Sequence, residues 1–313
     1  MSYLVTGGAG FIGSSLVRRL VEVGHSVRVL DNFATGSVQN ISDVLDKVDL
    51  IVGDVRNATV VDRAMEGAKH VLHLAALPSV VRSVSYPVLT SEVNVLGTLN
   101  TLEAARGAGV ETFVLASSSS VYGNTPTLPK TEEMSLAPLS PYAVQKLACE
   151  HYCRVYHQLF GLRTFVLRYF NVYGPRQNIC SQYAAVIPIF IEKLLNYQSL
   201  VIHGDGEQTR DFTFVDDVVE ATIRCCEVPN AKCGTYNIAC GSQVSVNQLA
   251  GKLIDLMDSS IKPIHDDPRK GDVLHMQADV SKACEYLNWQ SRISFDEGLR
   301  LTLKWFAGEG GKK

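Results

Sequence analysis

No apolar run in this sequence is long enough to cross a bilayer, and no secretory leader precedes the first strand-like residues, SYLVTGG. Those two absences argue against a helical membrane protein and point to the cytoplasm. A dense Lys/Arg block is missing as well. The 29 basic residues face 32 acidic ones, a net charge of -3, which makes nucleic acid and anionic membrane poor partners. There is no CxxC pair and no Cys/His grouping of zinc type, so no metal site is expected. The eight cysteines read as small buried fillers in a reducing compartment. Self-similarity at solenoid periods is also absent. What remains is 313 residues, 46% hydrophobic and 19% charged, enough for one large domain or two unequal ones around a sizeable core.

The first half alternates short β-branched runs with helical patterns. Strands are predicted at Tyr3–Thr6, Ser26–Leu30, Leu50–Val52, His70–Leu74, Thr112–Ala116 and Arg163–Arg168. Helical periodicity fills Phe11–Val23, Thr59–Met65, Val88–Ala108 and Pro141–Phe160. This alternation implies an α/β fold of Rossmann type, a doubly wound parallel sheet with helices on both faces. After Asn171 the rhythm breaks. Helices are expected at Ala184–Asn196, Val215–Glu227 and Val246–Met257, with a short strand at Leu200–His203. Residues 1–171 thus read as a dinucleotide-binding domain. Residues 172–313 read mainly as a smaller C-terminal substrate-binding lobe, with some segments returning to the first domain.

The turn after the first strand is TGGAGFIG, with Gly7, Gly10 and Gly13 in GxxGxxG spacing. Backbone amides there can approach a pyrophosphate, and the following helix offers its positive N-terminus. Asp31 ends the second strand 18 residues after Gly13. A carboxylate there can accept from both ribose hydroxyls of NAD and would repel a 2′-phosphate. Asp54 and Val55, after the third strand, can meet the adenine. The run HLAA, His73–Ala76, ends the fourth strand with residues small enough for close backbone approach. His73 itself reads as a satisfied core histidine.

Two stretches carry the chemistry. In ASSSSVYG (Ala116–Gly123) an apolar strand feeds directly into four serines, so a flexible linker is excluded. In SPYAVQK, Tyr142 and Lys146 lie at i and i+4 on one helix face. A phenol with pKa near ~10 is a poor base at neutral pH. A nearby ammonium and a positive nicotinamide both favour the phenolate. Such a tyrosine can take a proton from an alcohol while hydride leaves the carbon.

TGGAGFIG, HLAA, ASSSSVYG, SPYAVQK, LRYFNVYGPRQ, TRDF and RKGD, in this order, resemble the nucleotide-sugar branch of the extended short-chain dehydrogenase/reductase family. Within it, the chain most resembles UDP-glucose and UDP-N-acetylglucosamine 4-epimerases, up to about residue 306. The resemblance implies a tightly bound NAD, a UDP-sugar substrate and catalysis by Ser118, Tyr142 and Lys146. It adds Phe11, Ile12, Asn32 and Gly36 to the cofactor site, and Leu74, Ala75, Ala76, Asn94 and Tyr169 as well. Ser117, Ser119 and Ser120 read as strand-end support. Related 4,6-dehydratases carry Asp-Glu where Ser119 and Ser120 stand, and UDP-glucuronate decarboxylases carry Glu at the second position. Serine does neither acid–base job well. Reversible oxidation at C4, without elimination or decarboxylation, is therefore expected.

By the same resemblance Arg210 and Arg269 clamp the diphosphate, Asn171 contacts it and Asp272 accepts from the nucleoside ribose. Ala185, Val186 and His203 belong to the uridine and sugar pocket. Ala185 leans towards room for an N-acetyl group. Met276 stands where a small residue admits that group and Tyr refuses it, so both sugars stay open. The helices Val88–Ala108 and Pro141–Phe160 are similar to those that pair in family homodimers. Cys149, Tyr152, Cys153 and Tyr156 form either that interface or intramolecular core. Two other readings stay open: a dehydratase or reductase acting on a nucleotide sugar, and a non-catalytic NAD sensor.

Overall fold

The computed structural model describes residues 1–178, 185–268 and 274–308. At its centre lies an all-parallel sheet. Its first six strands are β1 (Ser2–Thr6), β2 (Ser26–Asp31), β3 (Val48–Val52), β4 (His70–His73), β5 (Thr112–Ser118) and β6 (Arg163–Tyr169). The seventh is Gly234–Ile238, and the spatial order is Gly234–Ile238, β6, β5, β4, β1, β2, β3. This is a Rossmann-type doubly wound sheet, and its direction of winding reverses between β1 and β4. Ligands of such sheets bind beyond the carboxyl ends of the strands at that reversal. The interior strands are buried along nearly their whole length, which is why they read as β-branched runs rather than alternating ones.

Helices α1 (Phe11–Glu22) and α2 (Ala58–Met65) fall within a residue of expectation. The predicted helix Val88–Ala108 forms as one continuous helical run with a π-turn inside it. It is α4 (Pro87–Ser91), one turn of π-helix (Glu92–Leu96) and α5 (Gly97–Gly107), and it is preceded by the short α3 (Val80–Ser85). Pro87 cannot extend α3 because it lacks the amide a helix interior needs, so it opens a new helix at its first turn. Helix α6 (Pro141–Phe160) has the predicted ends for local reasons. Ser140 caps it, its side chain accepting from Ala143 N at 3.2 Å. Pro141 suits the first turn, and Gly161 ends the helix at φ +70°.

The C-terminal part holds α7 (Val186–Leu195), α8 (Val215–Glu227) and α9 (Val246–Leu256), with three two-stranded sheets. The sequence reading missed the 3₁₀ segment Val38–Lys47, although its Val38, Ile41 and Val44 recur every third residue. It also missed Gly234–Ile238, the strand that returns to the main sheet beside β6.

Among the described residues no helix is long and apolar enough to cross a membrane, and no group of His, Cys, Asp and Glu could hold a metal ion. The described cysteines are all free; Cys149, Cys153 and Cys225 are buried, whereas Cys284 is exposed and is not the filler expected of it. Cys149 and Cys153 are core, as is Tyr156, which is 5% exposed. Only Tyr152 of that predicted set reaches the surface of α6.

Candidate functional site

The carboxyl ends of β1, β2 and β4 open onto a groove of about 620 Å³. Its floor is the glycine turn. Gly7 sits at φ +71°, and a Cβ there would lie 2.8 Å from Ala75 N. At Gly13 a Cβ would fall 2.1 Å from Gly7 O, inside the first turn of α1. These glycines leave the backbone bare beside the start of a helix, where amides face an anion. Phe11, Ile12, Asp54, Val55, Leu74, Ala75 and Ala76 line the same groove.

Asp31 is 8% exposed at the end of β2. Its Oδ2 accepts from Ala9 N at 2.9 Å and its Oδ1 from Phe33 N at 2.8 Å. Both oxygens keep lone pairs for further donors. Asn32 donates to Asp54 Oδ2 at 2.8 Å. Hydrogen bonds from Arg56 hold the Asp54 carboxyl down to about 2. A bare glycine turn at a helix start, with a carboxylate at the neighbouring strand end, fits a dinucleotide without a 2′-phosphate.

Two expected cofactor residues serve the groove from behind. Gly36 packs on the turn, where a Cβ would lie 2.6 Å from Ala9 O. Asn94, on the π-turn, is buried and is not among the groove-lining residues. Its amide accepts from Leu77 N at 2.8 Å, donates to Leu77 O at 3.3 Å and donates to Gln145 Oε1 at 2.8 Å. These bonds brace the Leu77 segment, which forms part of the groove wall. His73 is likewise internal. Thr6 Oγ1 lies 2.8 Å from its Nδ1 and Thr98 Oγ1 lies 3.0 Å from its Nε2.

Tyr142 sits where the groove meets a second cavity, of about 700 Å³, with Lys146 beside it in the groove. Ser117, Ser118, Ser119 and Ser120 line that cavity together with Tyr169, Asn171, Ala185, Arg210 and Met276. The start of α6 is pinned there, because Tyr142 N donates to Ser83 Oγ at 3.0 Å. Ser118 Oγ accepts from Ser120 N at 3.2 Å and so turns the chain out of β5. Burial pushes the Tyr142 phenol up to about 12, and the neighbouring Ser118 hydroxyl pulls it back. Burial lowers the Lys146 pKa.

Of the two charges expected to favour the phenolate, Lys146 lies in the groove beside Tyr142. Lys146 Nζ lies 5.9 Å from the Tyr142 ring centre and donates to Ala116 O at 2.8 Å.

A third pocket, of about 290 Å³, adjoins the second and shares Asn171, Ala185 and Arg210 with it. Val186 and His203 line it, with Phe212 and Gln208. Arg210 Nη1 donates to Thr209 O at 2.9 Å. Arg269 and Asp272 lie outside the described residues. The structure therefore brings the catalytic three and the described substrate residues around connected space.

Several groove and cavity residues had escaped sequence reasoning. Arg82 and Pro78 line both the groove and the second cavity, and Gln177 lines the second and third. Gln177 stands in the quoted GPRQ motif, which was the available signal; Arg82 carried none. Asp211, inside TRDF, is fully buried and accepts from Cys240 N at 3.0 Å, Gly241 N at 3.1 Å and Ala278 N at 3.0 Å. Burial raises its carboxyl to about 6 against those bonds. It ties the Arg210 strand to the segment that carries Met276.

Known proteins share this geometry. The family model "NAD dependent epimerase/dehydratase family" matches residues 3–239. A putative UDP-glucose 4-epimerase of Methanocaldococcus jannaschii is 40% identical over 304 residues, covering 96% of this chain and 97% of that protein. Among solved structures, the UDP-N-acetylglucosamine 4-epimerase of Methanobrevibacter ruminantium, in complex with UDP-N-acetylmuramic acid, superposes with a TM-score of 0.94 at 37% identity over 98% of both chains. The UDP-glucose 4-epimerase of Thermus thermophilus in complex with NAD gives 0.90 at 38% identity, covering 98% of this chain and 99% of that one. With its glycine turn, its strand-end carboxylate and a match over most of its length, the chain belongs to the NAD dependent epimerase/dehydratase family, and NAD is its cofactor.

Proposed function

We propose that the chain is a UDP-hexose 4-epimerase interconverting UDP-glucose and UDP-galactose, with the N-acetylated pair as the second substrate to test. One observation carries this: Tyr142 stands at the junction of groove and cavity with Lys146 beside it in the groove, and the neighbouring strand end presents Ser118, Ser119 and Ser120 rather than carboxylates. Elimination and decarboxylation at that place would need a group that lends or takes a proton near neutral pH, and serine does not. Residues 1–171 hold the cofactor and the catalytic groups, while most of the remainder covers the nucleotide sugar.

When bound, NAD would supply reversible hydride exchange at C4, and the residues around it do the rest. Tyr142 takes the proton of the 4-hydroxyl, and Ser118 orients that hydroxyl and shares the proton. Lys146 and Asp31 hold ribose hydroxyls. Lys146, together with the positive charge that the oxidised cofactor would bring, favours the Tyr142 phenolate. Arg210 and Asn171 grip the diphosphate, leaving the hexose end free to turn and offer its other face. Tyr142 then returns the proton.

The test is NMR of product mixtures after incubating the purified enzyme separately with UDP-glucose and with UDP-N-acetylglucosamine, no cofactor added. A mixture of C4 epimers is expected. A 4-keto-6-deoxy product would replace this assignment with the dehydratase one, and a stalled reaction with the reductase one. The Ala185–Met276 side of the cavity decides the sugar, so the second substrate reads its room for an acetamido group.

We also propose a homodimer. Val144, Ala148, Tyr152, Val155 and Leu159 make an apolar stripe along α6 at spacings of four, four, three and four residues, and Val144 and Leu159 are 53% and 70% exposed. Such a stripe suits helix pairing with a second copy. The free, mostly covered cysteines suit a cytoplasmic location.

A further inference from the structure

The mechanism above leaves one buried charge unused. Glu150 lies on α6, one turn past Lys146 and two past Tyr142, and is 6% exposed. Ser117 Oγ donates to its Oε1 at 2.5 Å. Arg168, on β6, donates from Nε to Oε1 at 3.1 Å and from Nη2 to Oε2 at 2.7 Å. Arg168 is as deeply buried, at 3%, and its Nη1 donates to Tyr122 OH at 2.9 Å. Tyr122 OH donates in turn to Asn237 Oδ1 at 2.7 Å.

Taking two charges out of water costs about what their attraction returns, so stability alone is a weak reason for this pair. Its placement offers a better one. Ser117 is the residue before Ser118 at the end of β5, and Glu150 shares a helix with Tyr142. The Ser117–Glu150 bond therefore joins the two elements whose hydroxyls have to meet at the sugar 4-oxygen. Arg168 occupies both carboxylate oxygens, so Glu150 cannot swing away from Ser117. At the far end of the serine run, Tyr122 is anchored to the same guanidinium.

We propose that Ser117 and Glu150 are positioning residues for the reaction: their bond sets the spacing of Ser118 and Tyr142 across the substrate. This rests on the epimerase assignment. Displacing a reacting group by about 1 Å costs a rate on the order of a hundredfold, so a loosened strand end is expected to show in turnover.

Glu150→Gln strips Arg168 of its buried counter-charge and tests folding as much as catalysis, so the decisive variant is Ser117→Ala. It removes the tie and leaves the Glu150–Arg168 pair. Steady-state epimerisation of UDP-galactose by the NAD-loaded full chain should show kcat lower by about tenfold or more, with KM within about twofold and NAD content unchanged. Ser117→Thr, which keeps the hydroxyl, should restore most of the rate. In a Ser118→Ala background, Ser117→Ala should cost little more, because the tie acts through Ser118. A wild-type kcat in Ser117→Ala, or a full additional loss in the Ser118→Ala background, overturns the inference while wild-type epimerisation stands. A wild-type enzyme that turns over no UDP-hexose overturns the epimerase assignment and takes this inference with it.

Discussion

Asp31 and Ala9 are joined across the first βαβ unit, the Ala9 amide donating to Asp31 Oδ2 at 2.9 Å. One carboxylate thus holds the glycine turn in shape and faces the groove that takes the cofactor ribose. Asp31→Ala should weaken NAD binding by about tenfold or more and narrow the preference for NAD over NADP, since it removes both the ribose acceptor and the repulsion of a 2′-phosphate. Cofactor titration of stripped protein checks this. An unchanged dissociation constant would remove Asp31 from the site.

Gly13→Ala places a methyl group 2.1 Å from Gly7 O, where only backbone surrounds it. Neither side can move without opening the turn. The variant should purify without NAD and melt several degrees lower. Gly107→Ala is the control: it meets open space at the end of α5 and should be neutral or stabilising by about 0.5 kcal/mol.

Tyr142→Phe removes the proton acceptor and little volume. Turnover should fall by about a thousandfold with NAD retained, as for loss of a general base. Near-normal epimerisation by this variant would defeat the proposed mechanism.

His73 offers a pH prediction. Thr98 Oγ1 donates to Asn94 O at 2.6 Å, so it accepts from His73, which must carry its proton on Nε2. Nδ1 then accepts from Thr6. Burial lowers the imidazole pKa from 6.5 to about 3. A base whose folded pKa is lowered contributes stability that is complete above 6.5 and is lost as pH falls towards 3, at up to about 1.4 kcal/mol per unit. Nitrogen NMR should show a neutral Nε2–H ring from pH 8 to 5. Titration of His73 in that window would contradict the buried, doubly bonded ring.

Leu159, 70% exposed on the α6 stripe, is the place to test self-association. Sedimentation should find wild type dimeric and Leu159→Glu monomeric, with the fold retained. A monomeric wild type would leave the stripe without its proposed partner.

Much of this was legible in the chain because it is local. GxxGxxG spacing, Asp31 at a strand end and the Ser-Pro start of α6 each act through neighbours in sequence, and α6 begins and ends where its cap residues say. The π-turn at Glu92–Leu96 was not legible, since its residues continue a helical pattern and only its bonds to Leu77 and Gln145 show why the helix widens. Nor was the brace that Asn94 makes between Leu77 and Gln145, which joins residues far apart in sequence.

The residue order alone determined that strands and helices alternate, that a glycine turn precedes a helix, and that Tyr142 and Lys146 share a face. These follow from backbone sterics and helical repeat over a few residues. Tertiary structure decided that Gly234–Ile238 closes the sheet beside β6, that Asp211 ties three distant segments, and that Ser117 meets Glu150 and Arg168. Those contacts close long loops, and what selects them is the burial of polar groups that must find partners once water is gone, a condition no local pattern records.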